Sequence, residues 1–392
     1  MLFFIFKFIK IVIGSVVDNE VVVLYRQKTP ISHVIENGRI IDKETLVDAL
    51  CKLNPVLSEE YHINQLLDNV VLVLPPFGFE AYNVTQLTSV LSEDQVVGYS
   101  EIRNLINLIR NKRLPVDNEI INVIFESFKT QDEKRYSKLP VGQISATVTG
   151  SGKVLTLPKK INEDFSEALM NAGIKCKQKA ISSFASVELI KTQNDIPDDF
   201  LLVDIGAYST QVSLVGRREL VGTRSFSFGG DYITERIIEK FNINEAQAIK
   251  IKTLYGLDYR KMSFKYPLCE SVTAEGKKQY FTEDLNATLE EECDKCVNLL
   301  KSTIEQLALT FEVPEYQSLP IILIGGCSLL PGLVDYLKNK LGNENISTLI
   351  PTCMGARDPS LFSALGAILV KEKYLSEFDS TSPVGIRVTR DN

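Results

Sequence analysis

The hydrophobic pattern of the chain changes repeatedly between the period of a strand and the period of a helix. Short apolar runs bounded by turn-forming residues predict buried strands, and these lie at residues 8–13, 20–25, 69–74, 153–157, 201–203, 210–215 and 319–324. Apolar residues spaced three and four positions apart predict helices, and these lie at 43–53, 99–110, 162–172, 180–190, 233–241, 245–252, 286–311 and 358–370. Such alternation of strands and helices is typical of an α/β fold.

The N-terminal segment 1–14 is strongly apolar. Lys7 and Lys10 interrupt it, and it is shorter than the ~20 apolar residues that a transmembrane helix needs. It also lacks the small-residue cleavage site of a signal peptide. Two interpretations stay open, a core strand and a short helix on a membrane surface. The β-branched run that follows directly favours the strand.

The composition predicts a globular protein and argues against some classes of function. At ~150 residues per domain, the 392 residues predict two or three domains. Hydrophobic residues at 44% and charged residues at 24% are ordinary for a globular chain. The net charge of -7 offers no basic excess to neutralise phosphates, so we predict no nucleic-acid partner. Because His33 and His62 are the only histidines, chemistry based on histidine is not expected.

Seven scattered cysteines predict reduced thiols rather than a disulfide framework. Cys293 and Cys296 form a C-x-x-C pair, and both fall on the apolar face of the helix predicted at 286–311. No second pair of cysteine or histidine residues lies nearby in the sequence. We therefore predict that both thiols belong to the core, with no metal or redox role.

Two motifs join a buried strand to a turn that contains glycine. The strand at 201–203 ends at Asp204, and Gly206 then allows a tight turn into the strand at 210–215. A carboxylate at such a turn suits a phosphate and its Mg²⁺, although an ordinary hairpin with a surface aspartate explains the motif as well. The strand at 319–324 runs into Gly325-Gly326, where the backbone can approach a ligand closely.

The order of these motifs resembles the actin-like ATPases. An Asp-x-Gly hairpin comes first, a strand with Gly-Gly and Pro-Gly second, and a late Ala-x-Gly-Ala helix at 364–367 third. Within that superfamily the chain is most similar to the FtsA family of bacterial cell-division proteins. The similarity extends over about residues 9–375, and the segments that carry it are 10–19, 37–42, 139–142, 227–234 and 245–250.

The resemblance implies an α/β fold of the actin-like (ribonuclease H-like) type. It would have two domains, a central nucleotide cleft and a small α+β insertion in the first domain. In the first domain, subdomain 1A would comprise residues 1–78, 148–190 and the closing helix 354–378, and the inserted subdomain 1C would comprise 79–147. In the second domain, subdomain 2A would comprise 191–224 and 301–353, and subdomain 2B would comprise 225–300. Residues 379–392 would form a polar tail. The chain from Ser376 onward is predicted to be disordered.

The resemblance also implies a site for ATP and Mg²⁺. The implied nucleotide-binding residues are, in chain order, Asp204, Gly206, Ala207, Gly229, Gly230, Gln247, Lys250, Gly325, Gly326, Cys327 and Ser328. Asp204 would hold Mg²⁺ through water at the phosphate end, and Gln247 and Lys250 would lie beside the ribose. The four residues 325–328 would lie beside the adenosine, and no catalytic residue is assigned.

One motif of the family is missing. Its first strand and first phosphate loop should occupy residues 1–9, which contain neither aspartate nor glycine. A competing alignment places the loop at 12–14, where Val12 stands in place of the aspartate. Ala207 and Tyr208 also occupy positions where small residues usually let the phosphate approach in this family. We therefore predict a nucleotide-binding scaffold rather than an efficient ATPase. The alternative is a protein that keeps these glycines only for their turn geometry.

The resemblance implies a cytoplasmic scaffold at the inner face of the cell membrane, at the division site. Expected partners are the C-terminal tail of the tubulin-like protein FtsZ, further copies of the chain in a protofilament, other division proteins through residues 79–147, and the membrane. No basic amphipathic helix is visible near the C-terminus, so the apolar N-terminal segment is the candidate anchor. The alternatives are a PilM-like or plasmid-segregation scaffold and a metabolic kinase of the same fold. The missing first aspartate argues against the kinase.

Overall fold

The computed structural model describes residues 2–5, 8–18, 20–31, 34–60, 70–112, 117–257, 265–273, 276–376 and 385–387. Its α-helices are α1 (Lys43–Glu60), α2 (Tyr99–Arg110), α3 (Lys159–Asn171), α4 (Ser182–Ile190), α5 (Gly230–Phe241), α6 (Glu245–Tyr255), α7 (Thr282–Thr310), α8 (Leu333–Leu341) and α9 (Phe362–Lys373). Its strands are β1 (Leu2–Ile5), β2 (Phe8–Val17), β3 (Glu20–Pro30), β4 (Ile35–Glu36), β5 (Arg39–Ile40), β6 (Val70–Leu74), β7 (Glu80–Ser89), β8 (Asn118–Thr130), β9 (Arg135–Tyr136), β10 (Thr147–Pro158), β11 (Cys176–Ile181), β12 (Phe200–Ile205), β13 (Thr210–Gly216), β14 (Glu219–Phe226), β15 (Pro267–Thr273), β16 (Gly276–Phe281), β17 (Ile321–Ile324), β18 (Ile346–Thr348), β19 (Tyr374–Ser376) and β20 (Gly385–Arg387). Short 3-10 helices lie at Tyr316–Ser318, Gly326–Leu329 and Pro359–Leu361.

The predicted elements are present, with most of their ends displaced by a few residues. α2 begins and ends at the predicted residues, whereas α7 begins earlier than predicted, at Thr282. The prediction of a helix over 180–190 is wrong at its start, because Ala180 and Ile181 belong to β11. Lysines at 177 and 179 interrupt the apolar pattern of this strand, and its pairing with β6 decides its conformation.

The chain divides into two compact units. Unit 1 comprises Met1–Phe4, Phe8–Thr192 and Ser363–Asn392, and unit 2 comprises Ile5–Lys7 and Gln193–Phe362. Within unit 1, α9 packs on α4 so closely that an added Cβ on Gly366 would overlap the carbonyl oxygen of Ala185. The close packing predicted for the small residues at 364–367 is therefore confirmed.

Unit 1 contains a five-stranded sheet with the order β11-β6-β1-β2-β3. β1 pairs in parallel with β6, and β6 with β11, whereas β2 and β3 form a long antiparallel hairpin. The N-terminal segment thus contributes strands to a sheet, and its interpretation as a membrane-surface helix is wrong for the described residues. The alignment that places the missing loop at 12–14 is also wrong, because these residues lie inside β2.

A second sheet in unit 1 forms an α+β element together with α2. Its strands have the order β19-β20-β8-β10-β7, and α2 packs on β7. The buried face of α2, which includes Leu105 and Ile109, joins Phe125 and Phe128 of β8 in one apolar cluster. β10 carries this sheet past residue 147, where the sequence placed the end of the insertion, to Pro158.

The C-terminal tail is not wholly without structure. Gly385–Arg387 forms β20, which pairs with β8, so the prediction of disorder is wrong for these residues. Residues 377–384 and 388–392 lie outside the described part of the chain. The backbone pairing with β8, a strand far away in sequence, decides this conformation.

The two sheets of unit 1 meet at the side chain of Asn122. This side chain is buried in β8, and its Nδ2 donates a hydrogen bond to Lys179 O at 3.0 Å. Its Oδ1 accepts a hydrogen bond from the N–H of Ile181 at 3.3 Å. β11 is an edge strand of its sheet, so the amide of Asn122 satisfies backbone groups that no neighbouring strand of that sheet reaches.

We expect Asn122→Ala to lower the free energy of unfolding by about 2 kcal/mol, because it leaves two buried backbone groups of β11 without these partners. A urea titration followed by circular dichroism measures the change. The matched control is Thr85→Ala, which removes an exposed hydroxyl pair with Ser151 between β7 and β10 and should change stability by less than about 0.5 kcal/mol. Equal effects of the two substitutions would contradict the bridging role of Asn122.

Unit 2 repeats the strand arrangement of unit 1. Its sheet has the order β14-β13-β12-β17-β18, with β12 parallel to β17, β17 parallel to β18, and β13 antiparallel to β12 and β14. β12 thus corresponds to β1, and β17 corresponds to β6. Cys293 and Cys296 of α7 are buried in the apolar core of this unit, as the sequence predicts, and burial raises the pKa of both thiols.

Candidate functional site

The two glycine motifs meet at the carboxyl ends of neighbouring strands in unit 2. β12 and β17 pair in parallel with Asp204 beside Ile324, so the chain leaves both strands at the same edge of the sheet. Gly325 follows with a φ of +89°, and an added Cβ there would overlap Asp204 Oδ1 and Ile205 O. The partly exposed carboxylate of Asp204 therefore lies directly against the backbone of Gly325.

The turn after β12 is bonded to the start of α5. Gly206 donates its N–H to Ser209 O at 2.9 Å, which closes the turn. Gly206 O accepts from the N–H of Gly230 at 2.9 Å, and Ala207 O accepts from the N–H of Asp231 at 2.8 Å. A helix leaves its first N–H groups without intrahelical partners, and here the turn supplies partners for two of them.

Gly229 allows the turn to pack closely on the start of α5, a role that the sequence pattern does not predict. An added Cβ on Gly229 would overlap the carbonyl group of Ala207 and lie 2.7 Å from Gly206 O. Tyr208 packs its ring edge-on against Tyr232 of α5, with 6.1 Å between ring centroids. The turn is therefore held against α5 by both backbone and aromatic contacts.

Lys252 reaches the same place from α6. Its Nζ donates to Gly230 O and to Thr234 Oγ1, both at 2.7 Å. An added Cβ on Gly230 would lie 3.4 Å from Lys252 Nζ and 3.4 Å from Cys327 Sγ, so the ammonium group and the thiol both lie beside Gly230. Burial raises the pKa of the Cys327 thiol, and the nearby Lys252 ammonium offsets part of that rise.

Sequence reasoning assigned the ribose position to Gln247 and Lys250 and missed Lys252. Gln247 is exposed and caps α6, since its N–H donates to Asn244 Oδ1 at 2.9 Å and its Oε1 accepts from the N–H of Asn244 at 3.4 Å. Lys250 is exposed. Lys252 follows the buried Ala248 by four positions, the spacing that puts two residues on one helix face. This spacing is the sequence signal that could have placed Lys252 on the same face of α6 as the buried Ala248.

The loop after β17 is held mainly by its own atoms. Ser328 is buried, and its hydroxyl donates to Gly325 O at 2.8 Å. Gly325 donates its N–H to Pro359 O at 3.1 Å. Gly326 is exposed, and an added Cβ there would meet only Ser360 Cβ, at 3.8 Å. Of the four residues predicted beside the adenosine, Gly326 therefore presents the open backbone, and Ser328 has a structural hydrogen bond.

The corresponding edge of unit 1 lacks this motif. Two residues, Phe6 and Lys7, separate β1 from β2, whereas four residues, 206–209, separate β12 from β13. No aspartate or glutamate occurs among residues 1–17. The two units therefore share their strand arrangement, whereas the carboxylate and the glycine turn between β12 and β13 have no counterpart between β1 and β2.

Known proteins match this chain both at the site and over most of its length. A sequence model of the family "Cell division protein FtsA" matches residues 201–366, the segment that contains all the predicted site residues. FtsA of Enterococcus hirae is 24% identical over 386 residues, which cover 96% of this chain and 84% of that protein. FtsA of Streptococcus pneumoniae is 23% identical over 333 residues, covering 83% and 70%. The chain is a divergent relative of FtsA.

Solved structures place the FtsA-related chain in the actin-like fold. A chain of the PilM-PilN type IV pilus biogenesis complex superimposes with a TM-score of 0.59 at 18% identity, covering 94% of this chain and 96% of that one. MreB5 of Spiroplasma citri bound to ADP superimposes with a TM-score of 0.51 at 13% identity, covering 88% and 79%. At these identities the likeness concerns the fold alone. Both the predicted fold class and the predicted resemblance to FtsA are confirmed.

The FtsA-related chain shows no membrane-crossing helix in its described residues, since none of those helices is both long and apolar enough. The same residues contain no group of three or more histidine, cysteine, aspartate or glutamate side chains arranged to hold a metal ion. Asp204 is thus a single carboxylate beside a turn. Such a carboxylate suits a Mg²⁺ that takes its remaining ligands from phosphate and water.

Proposed function

We propose that this chain is an actin-like scaffold of bacterial cell division that binds ATP with Mg²⁺ through unit 2. The contact between the Asp204 carboxylate and the Gly325 backbone carries this proposal. It joins the two glycine motifs at one sheet edge, inside the segment that matches the FtsA family. The MreB5 structure bound to ADP supplies a neighbour of the same fold that holds a nucleotide.

In this proposal Asp204 holds the water shell of Mg²⁺, and the partly exposed backbone of Gly206 and Ala207 faces the phosphates. Bound Mg²⁺ would neutralise phosphate charge. The backbone of Gly326 and Cys327 would lie along the adenosine. Gln247 and Lys250 keep their proposed place beside the ribose. Gly229, Gly230 and Ser328 act indirectly, by holding the turn and the loop in position.

We propose weak or absent hydrolysis of the bound ATP. Phosphoryl transfer depends on metal ions and charges placed around the transferred group. The edge of unit 1 that corresponds to Asp204 carries no aspartate or glutamate in residues 1–17, and its strands are joined by only two residues. The missing carboxylate also argues against the alternative that the chain is a metabolic kinase of the same fold.

The proposed partners follow from the relatives, which are named cell-division proteins. They are the C-terminal tail of FtsZ, further copies of this chain in a protofilament, other division proteins through residues 79–147, and the inner face of the membrane at the division site. The PilM complex suggests a pilus-assembly scaffold as an alternative. Binding of a peptide from the FtsZ tail of the same organism distinguishes the two roles.

Titration calorimetry with ATP and Mg²⁺ tests the nucleotide site. We expect Asp204→Ala to weaken binding at least about tenfold, a loss of about 1.4 kcal/mol, because the metal loses its one protein carboxylate. Removing Mg²⁺ with a chelator should weaken the wild type and leave the variant almost unchanged.

The matched control is Glu344→Ala, which removes the same charge from an exposed position before β18. Because β12, β17 and β18 run in parallel, residue 344 lies at the opposite edge of the same sheet from Asp204. We expect wild-type affinity in this control. Equal affinity of Asp204→Ala and the wild type would contradict the proposed site, and no binding by either would favour a scaffold without nucleotide.

A further inference from the structure

A short strand from the C-terminal segment covers β8 on one side in the second sheet of unit 1. β20 pairs in parallel with β8, with Gly385 beside Asn122, Ile386 beside Val123 and Arg387 beside Ile124. Asn122 and Val123 are fully buried and Ile124 is 3% exposed. β8 would otherwise present unpaired backbone groups along this edge, since β10 occupies its other side.

The covered edge of β8 lies next to β11, and we call the place between these two strands that β20 occupies the crevice. β11, an edge strand of the five-stranded sheet, approaches β8 at the amide of Asn122, which bonds to the backbone of β11. β20 contacts β11 as well as β8. The strand therefore fills the space where the edges of two sheets come together.

The pairing that holds β20 is much shorter than the pairings of β10 with β8 and with β7. β10 pairs with β8 from Val148 to Pro158, whereas β20 contributes three residues to β8 and three to β19. A backbone hydrogen bond contributes about 1 kcal/mol net, and ordering one residue costs about as much. A strand of three residues is therefore only weakly held, and it can leave its place without unfolding the sheet.

We propose that the crevice between β8 and β11 is a binding site for an extended peptide, which the C-terminal strand fills within the same chain and a partner protein fills by displacing it. The partner segment would add a strand to β8 through its backbone. This inference concerns unit 1 and does not depend on nucleotide binding in unit 2.

The covering segment indicates the chemistry of the partner. Residues 384–390 read Val-Gly-Ile-Arg-Val-Thr-Arg, with β-branched apolar residues at 384, 386 and 388, two arginines and no acidic residue. This alternation is typical of a strand with one apolar face. We infer a partner segment of the same kind, extended, β-branched at alternate positions and basic.

The linkage to the rest of the chain makes the covering strand a strong competitor. Eight residues, 377–384, connect β19 to β20. Because the strand is part of the chain that it covers, it competes at a high effective concentration. A free peptide of the same sequence must displace this attached strand in the native chain, and it should bind far better once the chain's own strand is disabled.

The test uses the full chain and a fluorescent peptide of residues 383–392. Ile386→Pro in the chain removes the N–H of a paired residue and disables β20. We expect the peptide to bind this variant at least about tenfold more tightly than it binds the wild type. The control peptide carries the same Ile386→Pro change and should bind neither chain. Equal binding of the peptide to both chains, or equal binding of the two peptides, overturns the proposal.

Hydrogen exchange provides a second readout on the same proteins. Backbone N–H groups alternate between the two edges of a strand, so those among residues 122–124 that face β20 should lose protection in the Ile386→Pro chain and regain it when the wild-type peptide is added. Unchanged protection overturns the proposal, because β20 then does not cover this edge. Light scattering tests the remaining arrangement, in which the C-terminal strand of a second copy fills the crevice. A wild-type dimer that becomes monomeric in the variant would assign the crevice to the tail of a second copy and overturn the filling within one chain.

Discussion

Gly366→Ala will destabilise unit 1 by about 2 kcal/mol or more, as expected for overpacking of a close contact. The added Cβ would overlap the carbonyl oxygen of Ala185 and lie 2.5 Å from its carbonyl carbon, so α9 and α4 must move apart. Helix propensity predicts the opposite sign, because alanine is about 1 kcal/mol better than glycine inside a helix. The direction of the change therefore separates packing from propensity, and a urea titration measures it.

The control for Gly366→Ala is Glu372→Ala in the same helix. Glu372 is exposed, so this change should alter the free energy of unfolding by less than about 0.5 kcal/mol. A larger residue at 366, as in Gly366→Val, should prevent unit 1 from folding. If Gly366→Ala proved as stable as the wild type, α9 and α4 would not be in the close contact described here.

Gly325→Ala will destabilise unit 2 by roughly 3 kcal/mol and remove nucleotide binding. A φ of +89° strains any residue with a Cβ, at a cost of about 1–2 kcal/mol. The Cβ would also overlap Asp204 Oδ1 and Ile205 O and lie 2.8 Å from Ile205 C. Thermal unfolding and calorimetry with ATP and Mg²⁺, made on the same preparation, measure the two effects.

The neighbouring glycine supplies the control for stability. Gly326→Ala places a Cβ at ordinary contact distance, 3.8 Å from Ser360 Cβ, and should change stability by less than about 0.5 kcal/mol. The double variant Asp204→Ala with Gly325→Ala removes the overlap with Oδ1 and keeps the overlap with the Ile205 backbone. It should therefore recover only part of the loss. Full recovery would show that the carboxylate alone forbids a side chain at 325.

The sequence predicted the parts of the site that lie next to one another in the chain. Asp204 with Gly206 and the run 325–328 were identified because a buried strand followed by glycine leaves a local pattern. Their meeting was expected only through the resemblance to FtsA, since residues 204 and 324 are neighbours through the pairing of β12 with β17. No local signal states which strands lie side by side.

The roles of individual side chains were less accessible to sequence reasoning. Lys250 and Lys252 are two positions apart on α6, and only contact with α5 shows that Lys252 bonds to Gly230 O. Gly229 was identified as a candidate for nucleotide binding, whereas its surroundings show that it lets the turn at Ala207 pack on α5. In both cases a residue's role is set by a neighbour from another part of the chain.

The sequence by itself determined the class of fold, the ends of α2 and the buried face of α7. These depend on local periodicity, because a repeat of two or of 3.6 residues reports which face of an element is buried. The similarity to the FtsA family rests instead on the motifs and their order along the chain. Only the tertiary structure decided that residues 180–181 continue a strand, that Asn122 joins two sheet edges, and that Gly385–Arg387 lies on β8. Each of these is a backbone contact between distant segments, and hydrogen bonding of the backbone is open to almost any residue. A pattern of side chains therefore carries little information about it.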